Sequence, residues 1–413
     1  MAGLREWLAS HGGAFVPPDY GGGSLLNVPA TLGQVLGVRN GWAAPPLAAA
    51  HGLDGLGATR VLLFVIDGLG LTALARHSAF DQRVRALVEA AGGSTSSLTS
   101  VVPSTTSVAT TVLLGNGAAP LETGMLGFSQ RLPALGVVGN MLFWTVPGEE
   151  GGLERRGLRP ETFLDSPSLF QVLEAGGVRS AAFLPVSIAR SPLSRLQFRG
   201  AAPHGMPDLA AALAAAERFL RSTPSGFAYV YTPDLDTIGH REGPETSGWR
   251  RVLDGILGTL ERWYRGLRPF SGPPPWLLVT ADHGLRATPA HEHRRLGELE
   301  GVGPLLASRP GGEPRHVYLY ARPGAAPDLR AAAAQALGPS FVVVDGREAL
   351  AAGLYGDPSR AHPEAGGRIG DAVVLARRGA TLWPDDADTV LPGMHGSLEP
   401  DEMRVPLLAL PLG

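Results

Sequence analysis

RVLLFVIDGLG, residues 60–70, is the stretch that decides the fold. An unbroken apolar run follows Arg60 and ends at Asp67 and a pair of glycines. A run this short, apolar at both alternating positions, is a strand buried from both sides, and the glycines mark the turn at its carboxyl end. Similar runs recur at VRSAAFLP (178–185), FAYVYTP (227–233), PWLLVTADHG (275–284), RHVYLYA (315–321) and DAVVLA (371–376). Stretches of helical length lie between them: one near 71–91, PDLAAALAAAERFLRS (207–222) and SGWRRVLDGILGTLERWYRGL (247–267). This alternation predicts an α/β fold, a mostly parallel central sheet with helices on both faces. Such sheets bind ligands beyond the carboxyl ends of their strands, so the residues standing there matter most.

Bulk composition narrows the chemistry. Of 413 residues, 44% are hydrophobic and 18% charged, with a formal net charge of −3. That balance is globular and lacks the basic excess of a nucleic-acid binder. Cysteine is absent, which removes disulfides, thiol nucleophiles, thiolate metal sites and cysteine-derived formylglycine. Any metal must therefore be held by imidazole and oxygen. The basic side chains are all arginine, which together with abundant Ala, Gly and Pro reads as GC-rich coding rather than function. The N-terminal MAGLREWLASHGGAFVPPDYGGG has no basic-then-apolar leader, and no run reaches the roughly 20 apolar residues that span a bilayer. The expectation is a cytoplasmic protein with no membrane or nucleic-acid partner.

Five segments carry residues suited to a reaction. Asp67 ends the first strand, where a carboxylate can hold a cation or cap a turn. VVPSTTSVATTVLLGNG (101–117) places Thr105 and Thr106 just ahead of a helical run, where free backbone N–H groups favour an anion and where ordinary capping is also common. YVYTPDLDTIGHREGP (229–244) delivers Asp236 and, four residues on, His240 through a glycine, a spacing that converges two ligands without requiring a helix; Asp234 competes with Asp236. WLLVTADHG (276–284) ends in adjacent Asp282 and His283, and GMHGSLEP (393–400) sets His395 among small residues. Nitrogen and oxygen donors without sulfur suit Zn²⁺ or Mn²⁺ better than Mg²⁺. His291 and His293, in AHEHRR, read as a solvated loop, and the remaining histidines show no partner pattern.

The ordered set FVIDGLG, VPSTTS with ETGMLGF downstream, PDLDTIGH, TADHG and MHGS resembles the alkaline phosphatase superfamily, and within it the type I phosphodiesterase/nucleotide pyrophosphatase branch. The resemblance implies a metal-dependent hydrolase of phosphoric esters or anhydrides with two divalent ions, Zn²⁺ or Mn²⁺. One ion would be held by Asp236, His240 and His395, the other by Asp67, Asp282, His283 and the nucleophile. Position after Pro103 selects Thr106 as nucleophile, with Thr105 the alternative. The branch carries an asparagine that binds a phosphoryl oxygen; its position here falls near Phe128, and Asn140 in GNMLFW is a substitute candidate. The expected substrate is a small phosphate ester or nucleotide, a diester or pyrophosphate ahead of a monoester or phosphonate, with a metal-binding protein lacking turnover as the remaining alternative. The implied organisation is a lead-in at 1–58 with one short helix, a catalytic α/β core at 59–289, a smaller subdomain or cap with part of the core at 290–385, and a return to the core at 386–413 bringing His395.

Overall fold

The structure, a computed structural model, describes residues 2–12, 14–53, 56–387 and 390–413. Arg60–Ile66, buried along its whole length, forms the middle of a seven-stranded sheet. Trp276–Thr280 and Gly226–Thr232 flank it, both parallel to it. Arg179–Pro185 and then His204–Met206 extend the sheet on one side, also parallel. On the other side Arg404–Pro411 runs antiparallel between Trp276–Thr280 and the edge strand Ser94–Thr99. The three central strands, paired from Val61↔Phe227 and Val61↔Trp276 onward, release their carboxyl ends at one rim.

Helices Leu209–Arg221 and Ser247–Arg265 pack beside this sheet, with Ala212, Leu213, Ala216, Leu220, Trp249, Leu253 and Ile256 buried in its main core. Asp208 and Thr246 cap their N-termini by accepting from Ala211 N and Trp249 N. The helix expected near 71–91 is two, Leu71–Arg76 and Ser78–Ala90, because the chain leaves helical geometry at His77 (φ −91°, ψ 66°). The lead-in holds two α-helices, Ala2–Ser10 and Val28–Val35, rather than the single one expected.

A second sheet has six strands, in the order Phe341–Asp345, Ala372–Ala376, His316–Leu319, Gly311–Glu313, Ser129–Leu132 and Val137–Asn140, all antiparallel. The apolar runs at 315–321 and 371–376 are thus strands of this sheet and not of the parallel one. Alternation along them builds two further cores: Tyr318, Tyr320, Val373 and Leu375 face one, and Val317, Leu319, Val374 and Ala376 the other. Among the described residues no helix is long and apolar enough to cross a membrane.

Candidate metal centre

Asp67 leaves the central strand one residue after Ile66, and Asp282 leaves its neighbour two residues after Thr280. Gly68 turns the chain between them with φ +75°, and a Cβ there would stand 3.1 Å from Asp236 Cβ. Only glycine permits both that conformation and that approach. Its N–H donates to Asp282 Oδ1 at 3.3 Å, and His283 N donates to the same oxygen at 3.0 Å. Beyond the third strand, Asp236 and His240 lie one turn apart on a helix, Asp234–Glu242, where the sequence reading required none. Acidic residues in its first turn and basic ones in its last match the helix dipole. Asp234 is exposed, while Asp236 is buried.

The three aspartates divide their oxygens in the same way. Asp282 Oδ1 is held by two amides, Asp67 Oδ2 by the hydroxyl of Tyr231, and Asp236 Oδ2 lies 3.2 Å from His240 Nε2. The other oxygens, Asp67 Oδ1, Asp236 Oδ1 and Asp282 Oδ2, are buried with no hydrogen-bond partner. Three buried acceptors left bare in one place are costly unless a cation compensates them. The imidazoles are arranged to match. His240, His283 and His395 place Nδ1 at 2.8, 3.0 and 2.9 Å from the carbonyls of Gly393, Gly284 and Ser104. Each Nδ1–H donates to its carbonyl, so Nε2 is the atom presented to the cluster, the usual arrangement of a metal-binding imidazole. Nε2 of His283 is 3.5 Å from both Asp67 Oδ1 and Asp282 Oδ2, and the rings of His283 and His395 stack at 3.7 Å.

Burial and crowded charge shift the acidities of the cluster. Burial, with the charges of Asp282 and Asp236, pushes the Asp67 carboxyl well above its usual range. Burial opposes ionisation of Asp236 too, but its neighbours, His240 foremost, outweigh it and hold that carboxyl low. Burial, then His283, depresses the His395 imidazole well below its ordinary value, which keeps it neutral and able to ligate.

The donors fall into two overlapping groups that could hold a metal ion. Asp236, His283 and His395 offer atoms within 4.8 Å of one another, as do Asp67, Asp282 and His283. His283 therefore belongs to both groups, and His240 joins the first through Asp236. Thr106 opens the helix Thr106–Leu113, and its Oγ1 lies 3.1 Å from His283 Nε2 and 3.5 Å from Asp67 Oδ2. Thr105 instead engages Glu313. The Thr106 turn is fastened to the His395 loop, since Ser104 Oγ donates to Ser397 O at 2.7 Å while Ser104 O receives His395 Nδ1–H.

Phe128 is half-buried near this turn: Ser107 Oγ donates to Gly127 O at 3.2 Å, and Phe128 N donates to Glu313 Oε2 at 3.2 Å. Asn140 Oδ1 accepts from Leu142 N and Phe143 N, capping a turn. Sequence reasoning missed Tyr231 and Glu313. Tyr231 shares a strand face with Tyr229, a polar handle in an otherwise apolar run that could have flagged it; Glu313 carries no local signal.

The profile of the type I phosphodiesterase/nucleotide pyrophosphatase family matches residues 61–398. Murine ectonucleotide pyrophosphatase/phosphodiesterase 5 superposes with a TM-score of 0.59 at 17% identity, covering 84% of this chain and 87% of that one. A structure of an inactive threonine-to-alanine form of the murine protein in complex with AMP aligns equally well, at 0.59 and 16% over 85% and 87%. Phosphonoacetate hydrolase from Sinorhizobium meliloti 1021, in complex with phosphonoformate, gives 0.59 at 19%, over 85% and 89%. At these identities the likeness is one of fold. No curated protein matches the chain.

Proposed function

We propose that this chain, which belongs to the type I phosphodiesterase/nucleotide pyrophosphatase family and is a hydrolase of phosphoric ester or anhydride bonds, cleaves phosphodiesters with Thr106 as nucleophile at a centre for two divalent ions. The observation that carries this reading is one buried cluster in which three partnerless carboxylate oxygens lie with His283 and His395, His240 stands beside Asp236, and the Thr106 hydroxyl is 3.1 Å from His283 Nε2. Asp67, Asp282, His283 and Thr106 would hold one ion, and Asp236, His240 and His395 the other, Zn²⁺ or Mn²⁺ by donor type. When bound, the ions lower the pKa of the nucleophile and neutralise phosphoryl charge.

The protein's own part is positioning. The backbone carbonyls fix the imidazoles, Tyr231 fixes Asp67, and the helix that Thr106 begins offers its free amides to an anion. Thr106 Oγ forms a bond to phosphorus as the bond to the leaving oxygen breaks; the hydroxyl proton is released and the leaving group takes one up. Water then cleaves the phosphothreonine, restoring the hydroxyl. That a threonine-to-alanine form of the murine relative is inactive is in keeping with a threonine nucleophile.

Three carboxylates and one alkoxide balance two divalent ions, so a singly charged diester meets better compensation than a monoester dianion. Metal analysis should find about two ions per chain, and kcat/KM should favour bis-p-nitrophenyl phosphate over p-nitrophenyl phosphate by at least about tenfold, or roughly 1.4 kcal/mol. Thr106→Ala should abolish turnover, with Thr106→Ser retaining part of it. A monoester preference would transfer the assignment to phosphomonoesters, and a fully active Thr106→Ala would remove the nucleophile.

A further inference from the structure

The strand Val137–Asn140 ends the six-stranded sheet. Successive residues of a strand turn their backbone groups to alternate sides, and three bonds fix the sides here. Met141 N donates inward to Phe128 O at 2.7 Å, and Asn140 N donates outward to Thr145 O at 2.8 Å, across an antiparallel bridge. Arg131, opposite Val138 in the register, turns its own N–H away, to Tyr320 Oη at 3.2 Å. Val138 therefore aims its N–H and C=O outward, as Asn140 does. Among the described residues neither group has a hydrogen-bond partner, although Val138 is only 5% exposed. A buried peptide group left unpaired is rare in a folded chain.

The cause lies in the sequence. Continued by two residues, the Asn140–Thr145 pairing sets Val138 opposite Pro147, which has no N–H to give the Val138 carbonyl. The chain parts from the sheet edge there, and a cavity of about 310 Å³ is lined by Val138 together with Val146 and Pro147. That volume stands at the lower end of the roughly 300–1,000 Å³ of small-ligand sites. Its charged lining residues are Arg131 and Arg309. Arg309 is held by Asp386, with Nη1 2.8 Å from Oδ2 and Nη2 3.0 Å from Oδ1. Arg131 has no such partner among the described residues, and its guanidinium rests over the Tyr320 ring, 5.4 Å from the centroid. One cation without a counter-ion thus stands beside an unpaired donor and an unpaired acceptor of a sheet edge.

We propose that this cavity binds the carboxyl end of a short extended peptide. The penultimate residue of the ligand gives its N–H to Val138 C=O and accepts Val138 N–H on its own C=O, as an added strand does, and the terminal carboxylate meets Arg131. No lining residue belongs to the metal cluster, so the site is independent of the hydrolase reading.

Calorimetry on the full chain with its metal ions tests this, using acetyl-dialanine as probe. The probe should bind one site at least about tenfold more tightly than its C-terminal amide or acetate, because the charge-assisted bond and the strand pairing are each needed. Acetyl-lactyl-alanine, with an ester oxygen in place of the penultimate N–H, should bind at least about fivefold more weakly than acetyl-dialanine. Arg131→Gln should erase the preference for acid over amide. Pro147→Val supplies the missing N–H, so the chain can close onto the Val138 carbonyl; this exposed substitution should weaken the probe at least about fivefold with Arg131 intact. Acid and amide binding alike, acetate matching the dipeptide, or an affinity unmoved by both variants would overturn the assignment. So would binding that vanishes when a chelator strips the ions, which would place the peptide at the metal centre.

Discussion

Glu313 is 4% exposed, and its two oxygens are unequally served: Oε2 accepts the Phe128 amide at 3.2 Å while Oε1 has no hydrogen-bond partner. Burial pushes its carboxyl up to about 8, against the opposing influence of the Phe128 amide and the Thr105 hydroxyl. Between the ordinary value of 4.5 and about 8 the folded chain keeps a proton that the unfolded chain releases, so this group makes stability fall as pH rises, by up to about 1.4 kcal/mol per pH unit. Below that window it contributes no slope. Glu313→Gln, which cannot ionise, should gain on the wild type steadily between pH 5 and 8 in urea unfolding with a chelator present, since ion binding carries its own proton linkage. A difference independent of pH would mean that Glu313 ionises normally in the fold. This residue also marks the limit of sequence reading. Asp67, Asp282, His283 and His395 stood out because each sits at a strand end or among small residues, and Asp236 because it stands four residues before His240. Glu313 meets Phe128 across 185 positions and Tyr231 meets Asp67 across 164, and no local pattern encodes either pairing.

The helix Asp234–Glu242 shows what an element adds to its residues. It fixes the offset between Asp236 and His240, and its closing segment packs against the strand Gly393–Met394. There Gly393 has two duties. Its carbonyl orients His240 at 2.8 Å, and the site where a Cβ would lie is only 2.2 Å from Gly239 O. Gly393→Ala must therefore push helix and strand apart, which overpacks the contact at about 1–3 kcal/mol and moves the carbonyl that holds the imidazole. The expected result is loss of roughly one of two ions on dialysis and a fall in activity of about 10–100-fold, the usual effect of losing a ligand's orienting partner. Full ion content with normal activity would show that His240 does not depend on this carbonyl. Element types were largely legible from apolar runs, but their pairing was not. STSSLT (94–99) is polar and mostly uncovered, so nothing in it announces the edge strand that pairs with Arg404–Pro411. RHVYLYA and DAVVLA read correctly as strands, yet an apolar run does not say which sheet it joins.

The whole molecule brings two sheets to one site. The parallel sheet brings Asp67, Asp282 and His283 just beyond its strand ends and Asp236 and His240 on the helix that follows one of them, and the antiparallel sheet brings Glu313 and the segment beside Phe128. Arg315 is fully buried where the two parts meet. Its Nε and Nη2 donate to Glu402 Oε1 and Oε2, both at 2.7 Å, and its Nη1 donates to Ala380 O at 2.7 Å. Glu402 Oε1 also accepts Ser397 N at 2.9 Å, so the pair ties the antiparallel sheet to the loop carrying His395. Removing one partner strands a buried charge, whereas removing both charges strands none. Arg315→Met should therefore destabilise by about 3–5 kcal/mol, and Glu402→Gln by a comparable amount. The double variant should be destabilised by at least about 2 kcal/mol less than the sum of the two, within the range expected for residues in direct contact. Because Glu402, which Arg315 holds in place, is what anchors Ser397 N, Arg315→Met frees Glu402 to move and should weaken retention of the ion that His395 would hold, so this variant should lose metal on dialysis at temperatures well below its own unfolding. Urea unfolding of all four proteins, with ion content measured in parallel, decides the matter. Additivity within about 0.5 kcal/mol would show that Arg315 and Glu402 act independently, and the coupling between the two sheets would then have to lie in the apolar contacts around them.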